Sequence, residues 1–126
     1  AGSTLTMRGG STNLASAPAT LLLTNGAQAT ISEDLLTWAT ITMRGGSGML
    51  WLCGGTITTL TMEIGGSIDK SLDARTLTIT NSTIDGDTCQ FNDPLNAIVW
   101  TNATTVKQQT SSGPFIFAGT RTVKVT

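Results

Sequence analysis

The side chains with the greatest chemical potential in this sequence are a few carboxylates. Asp69 and Asp73 form one close pair, and the segment Asp85-Gly86-Asp87 lies just before Asp93. Paired carboxylates can act as general acid and base on a glycoside, and clustered ones can bind calcium. The segment begins like a calcium loop, but the five-residue run to a bidentate glutamate does not follow. Aspartates in turns usually cap backbone N–H groups, so we expect caps here and no bound metal.

Histidine and tyrosine are absent from the sequence. Histidine is the usual general base near neutral pH, so its absence excludes Ser-His-Asp and Cys-His catalytic systems. The Gly-Gly pairs precede neither a helix nor a lysine, so no phosphate-binding loop is predicted. Cys53 and Cys89 are too few for a metal site, and we expect two buried free thiols in preference to a disulfide. The sequence therefore predicts no enzyme activity, no catalytic residues and no cofactor.

The overall composition restricts the partners. Charged residues make up 12% of the 126 residues, and the formal net charge is −1. This balance gives no long-range attraction to nucleic acid or to an anionic membrane. No apolar run is long enough to span a bilayer, and no signal peptide is visible. We expect one soluble domain, residues 1–126, with no nucleic-acid, membrane or small-molecule partner.

An internal repeat indicates the elements that position these residues. The segment 3–10 (STLTMRGG) returns as 39–46 (ATITMRGG) and as 59–66 (TLTMEIGG). Looser copies extend the series to seven windows, which start at residues 4, 20, 40, 59, 76, 97 and 114. The steps of 16 to 21 residues match the coils of a β-solenoid and exceed the strand spacing of a hairpin meander. Threonine, with 25 residues, adds strand propensity, and 14 glycines suit tight turns.

The strand period of two separates an inner from an outer face in each window. The second and fourth positions predict a buried column: Leu5/Met7, Leu21/Leu23, Ile41/Met43, Leu60/Met62, Leu77/Ile79, Ile98/Trp100 and Phe115/Phe117. A Gly or Asn corner follows each window, and Asn81 and Asn102 are expected to stack their amides. A second apolar set is expected to line another wall: Leu14, Ile31, Leu50 or Leu52, Ile68, Ile84, Val106 and Val123. The sequence therefore predicts an all-β, single-domain parallel β-solenoid of about six to seven short coils, with a β-sandwich as the alternative.

The outward positions of the windows are mostly threonine. They predict an exposed Thr ladder: Thr4, Thr6, Thr40, Thr42, Thr59, Thr61, Thr76 and Thr78. This ladder resembles that of insect β-helical antifreeze proteins, which implies ice binding as an alternative function. Leu22 interrupts the ladder and the coil length varies. The general suitability of threonine for exposed strands is therefore the favoured explanation.

Apolar residues at outward positions indicate a partner surface. The predicted interface residues are Leu22, Val99, Pro114 and Ile116, with Trp38 and Trp51 exposed elsewhere. A solenoid also exposes its end coils, which need a cap or a partner. Self-association as a homotrimer would cover both kinds of surface.

The whole chain, from Thr4 to Val125, resembles the short β-helical modules of tailed-phage virions. Capsid decoration (cement) proteins are the most similar in size, although Thr-Leu-Thr-Met-x-Gly-Gly is not a diagnostic motif. The resemblance implies a non-enzymatic trimer that binds the major capsid protein at capsid threefold positions and stabilises the shell. It also implies assembly in the host cytoplasm and a final location on the virion surface. A carbohydrate-binding module of a tailspike or adhesin is the remaining alternative.

Overall fold

A computed structural model of the protein describes residues 4–14, 17–34, 36–63, 65–85, 89–102, 104–106, 116–118 and 123–125. The strands in chain order are β1 (Thr4–Arg8), β2 (Ser11–Leu14), β3 (Thr20–Thr24), β4 (Gln28–Ile31), β5 (Leu36–Met43), β6 (Gly48–Trp51), β7 (Gly55–Glu63), β8 (Ser67–Asp69), β9 (Leu77–Asp85), β10 (Gln90–Asn92), β11 (Ile98–Trp100), β12 (Thr104–Val106), β13 (Ile116–Ala118) and β14 (Val123–Val125). Every pairing among these strands is parallel. The predicted all-β solenoid is confirmed, and the β-sandwich alternative is wrong.

The strands lie on three faces of the coil. The front face contains β1, β3, the second halves of β5, β7 and β9, and then β12 and β14. The back face contains β2, β4, β6, β8, β10 and β13. The side face contains the first halves of β5, β7 and β9, together with β11. A complete turn has a strand on each of the three faces, and the solenoid contains about four such turns. This number is smaller than the six to seven coils predicted.

Apolar columns fill the inside of the solenoid. Leu21, Ile41 and Leu60 are neighbours in the parallel register of the front face, and each is 0% exposed. The burial of one such side chain contributes about 1.5–3 kcal/mol, so a stacked column is a principal source of stability. The inner positions of the second, third and fourth windows are therefore buried, as the strand period predicted.

The two indoles Trp38 and Trp51 lie in this core, so the prediction that they are exposed is wrong. Each is 0% exposed, and their rings meet edge to face with centroids 5.8 Å apart. The back face buries Met49 and Trp51, so the expected inward residue Leu50 or Leu52 is wrong by one position. A shift of one residue exchanges the two faces of a strand. Residues 49–52 are all apolar, so the sequence does not show which of them point inward.

The corner between the front and back faces repeats a left-handed turn, as the Gly and Asn residues predicted. Asn25 has φ of 54° and Gly45, in the next coil, has φ of 61°. The N–H of Gly26 donates a hydrogen bond of 2.9 Å to the carbonyl of Gly45. A Cβ atom on Gly45 would lie 3.1 Å from the backbone nitrogen of Asn25. The positive φ favours glycine or asparagine there, and the close approach favours glycine at position 45.

Candidate binding surfaces

The front face presents two outward columns of mostly threonine residues, which we call the Thr array. The first column is Thr4, Thr20, Thr40, Thr59 and Asn81. The second column is Thr6, Leu22, Thr42, Thr61 and Thr83. Adjacent strands are about 4.8 Å apart, and alternate residues along a strand are about 6.6 Å apart. The array is therefore a regular grid of mostly hydroxyl groups, with Leu22 as the apolar interruption.

Two members of the predicted Thr ladder are not part of this array. Thr78 is in register with Thr56 on the side face, and Thr76 precedes β9. The front-face position opposite Thr61 is occupied by Thr83. The sequence repeat predicted Leu77 and Ile79 as the inner pair of this front-face strand because both residues are apolar. The true inner pair of that front-face strand is Ser82/Ile84, and its buried serine concealed the match.

The two later windows also lie on faces other than the front face that the repeat predicted. Ile98 and Trp100 pair with Leu77 and Ile79 on the side face, and not with the front face. Phe117 pairs with Phe91 on the back face. Phe115 lies outside the described residues.

Most of the variation in coil length within the four complete turns occurs at one corner. The back and side faces are joined by segments 32–35, 52–54, 70–76 and 93–97. The front-face strands in those turns stay in register across the variation. The variable period that counted against the Thr ladder therefore does not disturb the spacing of the Thr array.

The longest of these segments, 70–76, contributes three residues to an ionic group that also includes Asp34 from segment 32–35. We call this group the corner cluster: Asp34, Lys70, Asp73 and Arg75. The Lys70 side chain is 0% exposed, and its Nζ lies 3.0 Å from Oδ1 of Asp73. Arg75 donates to both carboxylate oxygens of Asp73 at 3.0–3.2 Å and lies 3.6 Å from Asp34. These hydrogen bonds, from Arg75 first and then Lys70, hold the pKa of Asp73 far below its usual range.

The corner cluster also joins neighbouring coils. Arg75 donates a hydrogen bond of 2.6 Å to the carbonyl of Leu52, and Asp34 accepts one of 2.7 Å from the N–H of Gly54. The cluster contains two cations and two anions, so its formal charge is zero. Its paired geometry suits a structural clamp, and its carboxylates are committed to cations of the protein itself.

The remaining aspartates act as caps where the structure describes them, as predicted for turn aspartates. Asp69 accepts hydrogen bonds from the N–H and hydroxyl of Ser71. Asp93 is 0% exposed and accepts from the N–H groups of Ala97 and Ile98 at 2.8 and 2.9 Å. In the Asp85-Gly86-Asp87 segment, the side chain of the first residue and all of the other two lie outside the described residues. No group of three metal-ligating side chains occurs in the described part of the chain.

Both cysteines are buried free thiols, as predicted. The Sγ of Cys53 lies 3.3 Å from the carbonyl oxygen of Glu33. Burial, reinforced by the charge of Asp34, raises the pKa of the Cys53 thiol. Because the thiolate is the nucleophilic form, this environment disfavours reactivity.

Three large hydrophobic residues of the described ranges are well exposed, two at the back-to-side corner and one on the adjacent side face. Leu72 is 70% exposed, Leu95 is 50% exposed and Val99 is 49% exposed. Leu72 and Leu95 lie in equivalent connections of successive turns, and Val99 is in register with Thr78. We call these three residues the corner patch. Sequence reasoning missed the two leucines because they lie in loops, outside the repeated windows.

Two of the predicted interface residues, Leu22 and Val99, lie on different faces of the solenoid. Leu22 is partly exposed on the front face, and Val99 is exposed on the side face. Ile116 belongs to the back-face strand β13, and Pro114 lies outside the described residues.

Comparison with protein-family models, with curated proteins and with solved structures finds no match to this chain. No helix in the described ranges is long and apolar enough to cross a membrane.

Proposed function

We propose that this protein is a non-enzymatic structural module, and that it acts as a trimeric capsid decoration protein. It binds the major capsid protein on the surface of a virion, after assembly in the host cytoplasm, and stabilises the shell. The observation that carries the proposal is the corner patch, in which Leu72 and Leu95 project from a stacked β-solenoid. Clustered exposed apolar residues on a small domain are typical of protein-binding surfaces.

The chemistry of the chain supports a binding role over catalysis. The sequence has 0 histidines. The Asp73 carboxylate is held ionised by Arg75 and Lys70, which suits neither a general acid nor a nucleophile that must reach a substrate. The net charge of −1 supports recognition by shape and apolar contact, with no nucleic-acid or membrane partner.

The proposal is tested by co-sedimentation with capsid shells. A neighbouring gene for a major capsid protein identifies the shell, which is assembled without this protein and then mixed with it. We expect saturable binding that raises the temperature at which the shells rupture. A protein that stays in the supernatant at all concentrations, and leaves the rupture temperature unchanged, would overturn the proposed role.

The Thr array favours a second candidate, ice binding. Its columns keep a regular grid across coils of different length, and a hydroxyl grid on a sheet can order water at fixed spacings. The direct test is thermal hysteresis and inhibition of ice recrystallisation. Ice binding predicts activity that Thr42→Lys removes, while Thr56→Lys on the side face retains it. Absence of activity in the unaltered protein eliminates this candidate.

A further inference from the structure

The dipeptide Asn25-Gly26 forms the corner between the front and back faces in the second coil. Both residues are exposed, and their φ angles are 54° and 74°. The N–H of Ala27 donates a hydrogen bond of 3.2 Å to the carbonyl of Thr24, so these four residues form a turn of type I′. Asn-Gly suits this turn because both of its central residues need positive φ.

The same dipeptide is the one in which an asparagine side chain most readily loses ammonia. The backbone nitrogen of Gly26 attacks Cγ of Asn25 and forms a new N–C bond. The bond from Cγ to the side-chain nitrogen breaks, and that nitrogen leaves as ammonia with the proton of the Gly26 N–H. Water then opens the cyclic succinimide at either carbonyl and yields aspartate or isoaspartate. Glycine favours the attack because it has no side chain to obstruct its nitrogen.

The folded corner keeps these two atoms out of the reaction geometry. A type I′ turn gives its first central residue a ψ of about +30°, which directs the next nitrogen away from the side chain. The N–H of Gly26 donates to the carbonyl of Gly45 at 2.9 Å, and the carbonyl of Gly26 accepts from the Gln28 amide at 3.2 Å. A Cβ atom on Gly45 would lie 3.1 Å from the backbone nitrogen of Asn25, so the two coils are in close contact. Ring closure therefore requires the corner to open first.

We propose that Asn25 is a site of spontaneous deamidation, and that opening of the contact between Gly26 and Gly45 controls its rate. An aspartate product keeps the turn, because aspartate also tolerates positive φ. An isoaspartate product inserts an extra carbon into the backbone, which displaces the Gly26 N–H from the Gly45 carbonyl and breaks a link between the second and third coils. The site converts a transient opening of the corner into a permanent covalent change.

The test is the rate of deamidation of the whole folded protein in mildly alkaline buffer, measured by peptide mapping and mass spectrometry. Gly45→Ala places a Cβ atom against the backbone of Asn25 and should raise the rate about tenfold or more. The matched control is Gly46→Ala, where φ is also positive but a Cβ atom meets nothing within 4 Å, so the rate should change much less. Asn96, with φ of 52° but followed by alanine, is an internal reference that should stay intact.

Equal rates in the unaltered protein and in Gly45→Ala would overturn control by this contact. A rate in the folded protein that matches the rate in guanidinium would overturn it as well, because the corner would then give no protection. Absence of modification at Asn25 even in the unfolded chain would overturn the site itself. If Gly45→Ala does not fold, the unaltered protein in rising sub-denaturing urea replaces it, because urea favours the open corner. A rate that rises with urea supports the inference, and a constant rate contradicts it.

Discussion

The ammonium group of Lys70 lies 3.0 Å from Oδ1 of Asp73, inside a solenoid whose other inward columns are largely apolar. Leu50 pairs with Asp69, so Lys70 occupies the position that Trp51 occupies one turn earlier. A lysine can lie there because the longer segment 70–76 brings back its own carboxylate, which Arg75 also holds. The pair therefore closes the core at the widest corner and fixes the loop that carries Leu72.

Acid should weaken this corner. The pKa of Asp73 is lower in the folded protein than in the unfolded chain, because Arg75 and then Lys70 stabilise its charged form. Its contribution to stability is therefore fully present above the unfolded-state value of about 4 and is lost as the pH falls below it. We expect the melting temperature of the unaltered protein to exceed that of Asp73→Asn at pH 7, and the difference to shrink towards pH 2–3. A difference independent of pH would contradict the assignment.

The two thiols should be protected in the native state. Cys53 and Cys89 are 0% exposed, and burial raises the pKa of Cys53. We expect neither thiol to react with a thiol-specific chromogenic reagent at pH 8 until guanidinium unfolds the chain, when both react. Rapid reaction of the native protein would show that the solenoid opens at these positions.

A matched pair of substitutions tests the inner and outer faces of one strand. Leu60→Asp places an unpaired carboxylate in the buried column and should cost more than about 4 kcal/mol, enough to unfold the domain. Thr61→Asp, on the outward face, should cost about 1 kcal/mol, within the range of strand propensities. Urea denaturation followed by circular dichroism measures both. Equal losses of stability would mean that the assignment of inward and outward side chains in β7 is wrong.

The repeat predicted the fold class and the front-face register where the copies are nearly identical. Thr4–Met7, Thr40–Met43 and Thr59–Met62 share the alternation of threonine and large apolar residues, so their phase is unambiguous. The parallel pairing follows from their spacing, since a long connection between similar strands is typical of a solenoid. The Asn81–Asn102 contact was also predictable, and the amide of Asn102 donates to Oδ1 of Asn81 at 2.7 Å.

The register of the later turns was not predictable from the alternation alone. β9 runs across two faces and contains two alternating stretches, of which Leu77-Thr78-Ile79 is the more apolar. The front face instead uses Ser82 and Ile84, with the buried Ser82 in register with Leu60. The corner patch escaped detection because Leu72 and Leu95 have no periodicity, and only their exposure in the folded protein distinguishes them.

Cross-linking across the Thr array tests the stacked register most directly. Residues in register on adjacent parallel strands have Cα atoms about 4.8 Å apart, a separation that a disulfide spans. We predict that Thr61→Cys with Thr83→Cys forms an intramolecular disulfide on mild oxidation, identified by peptide mapping. Thr61→Cys with Thr78→Cys should not, because Thr78 lies on the side face. Formation of the 61–78 disulfide without the 61–83 disulfide would contradict the register on which both binding surfaces depend.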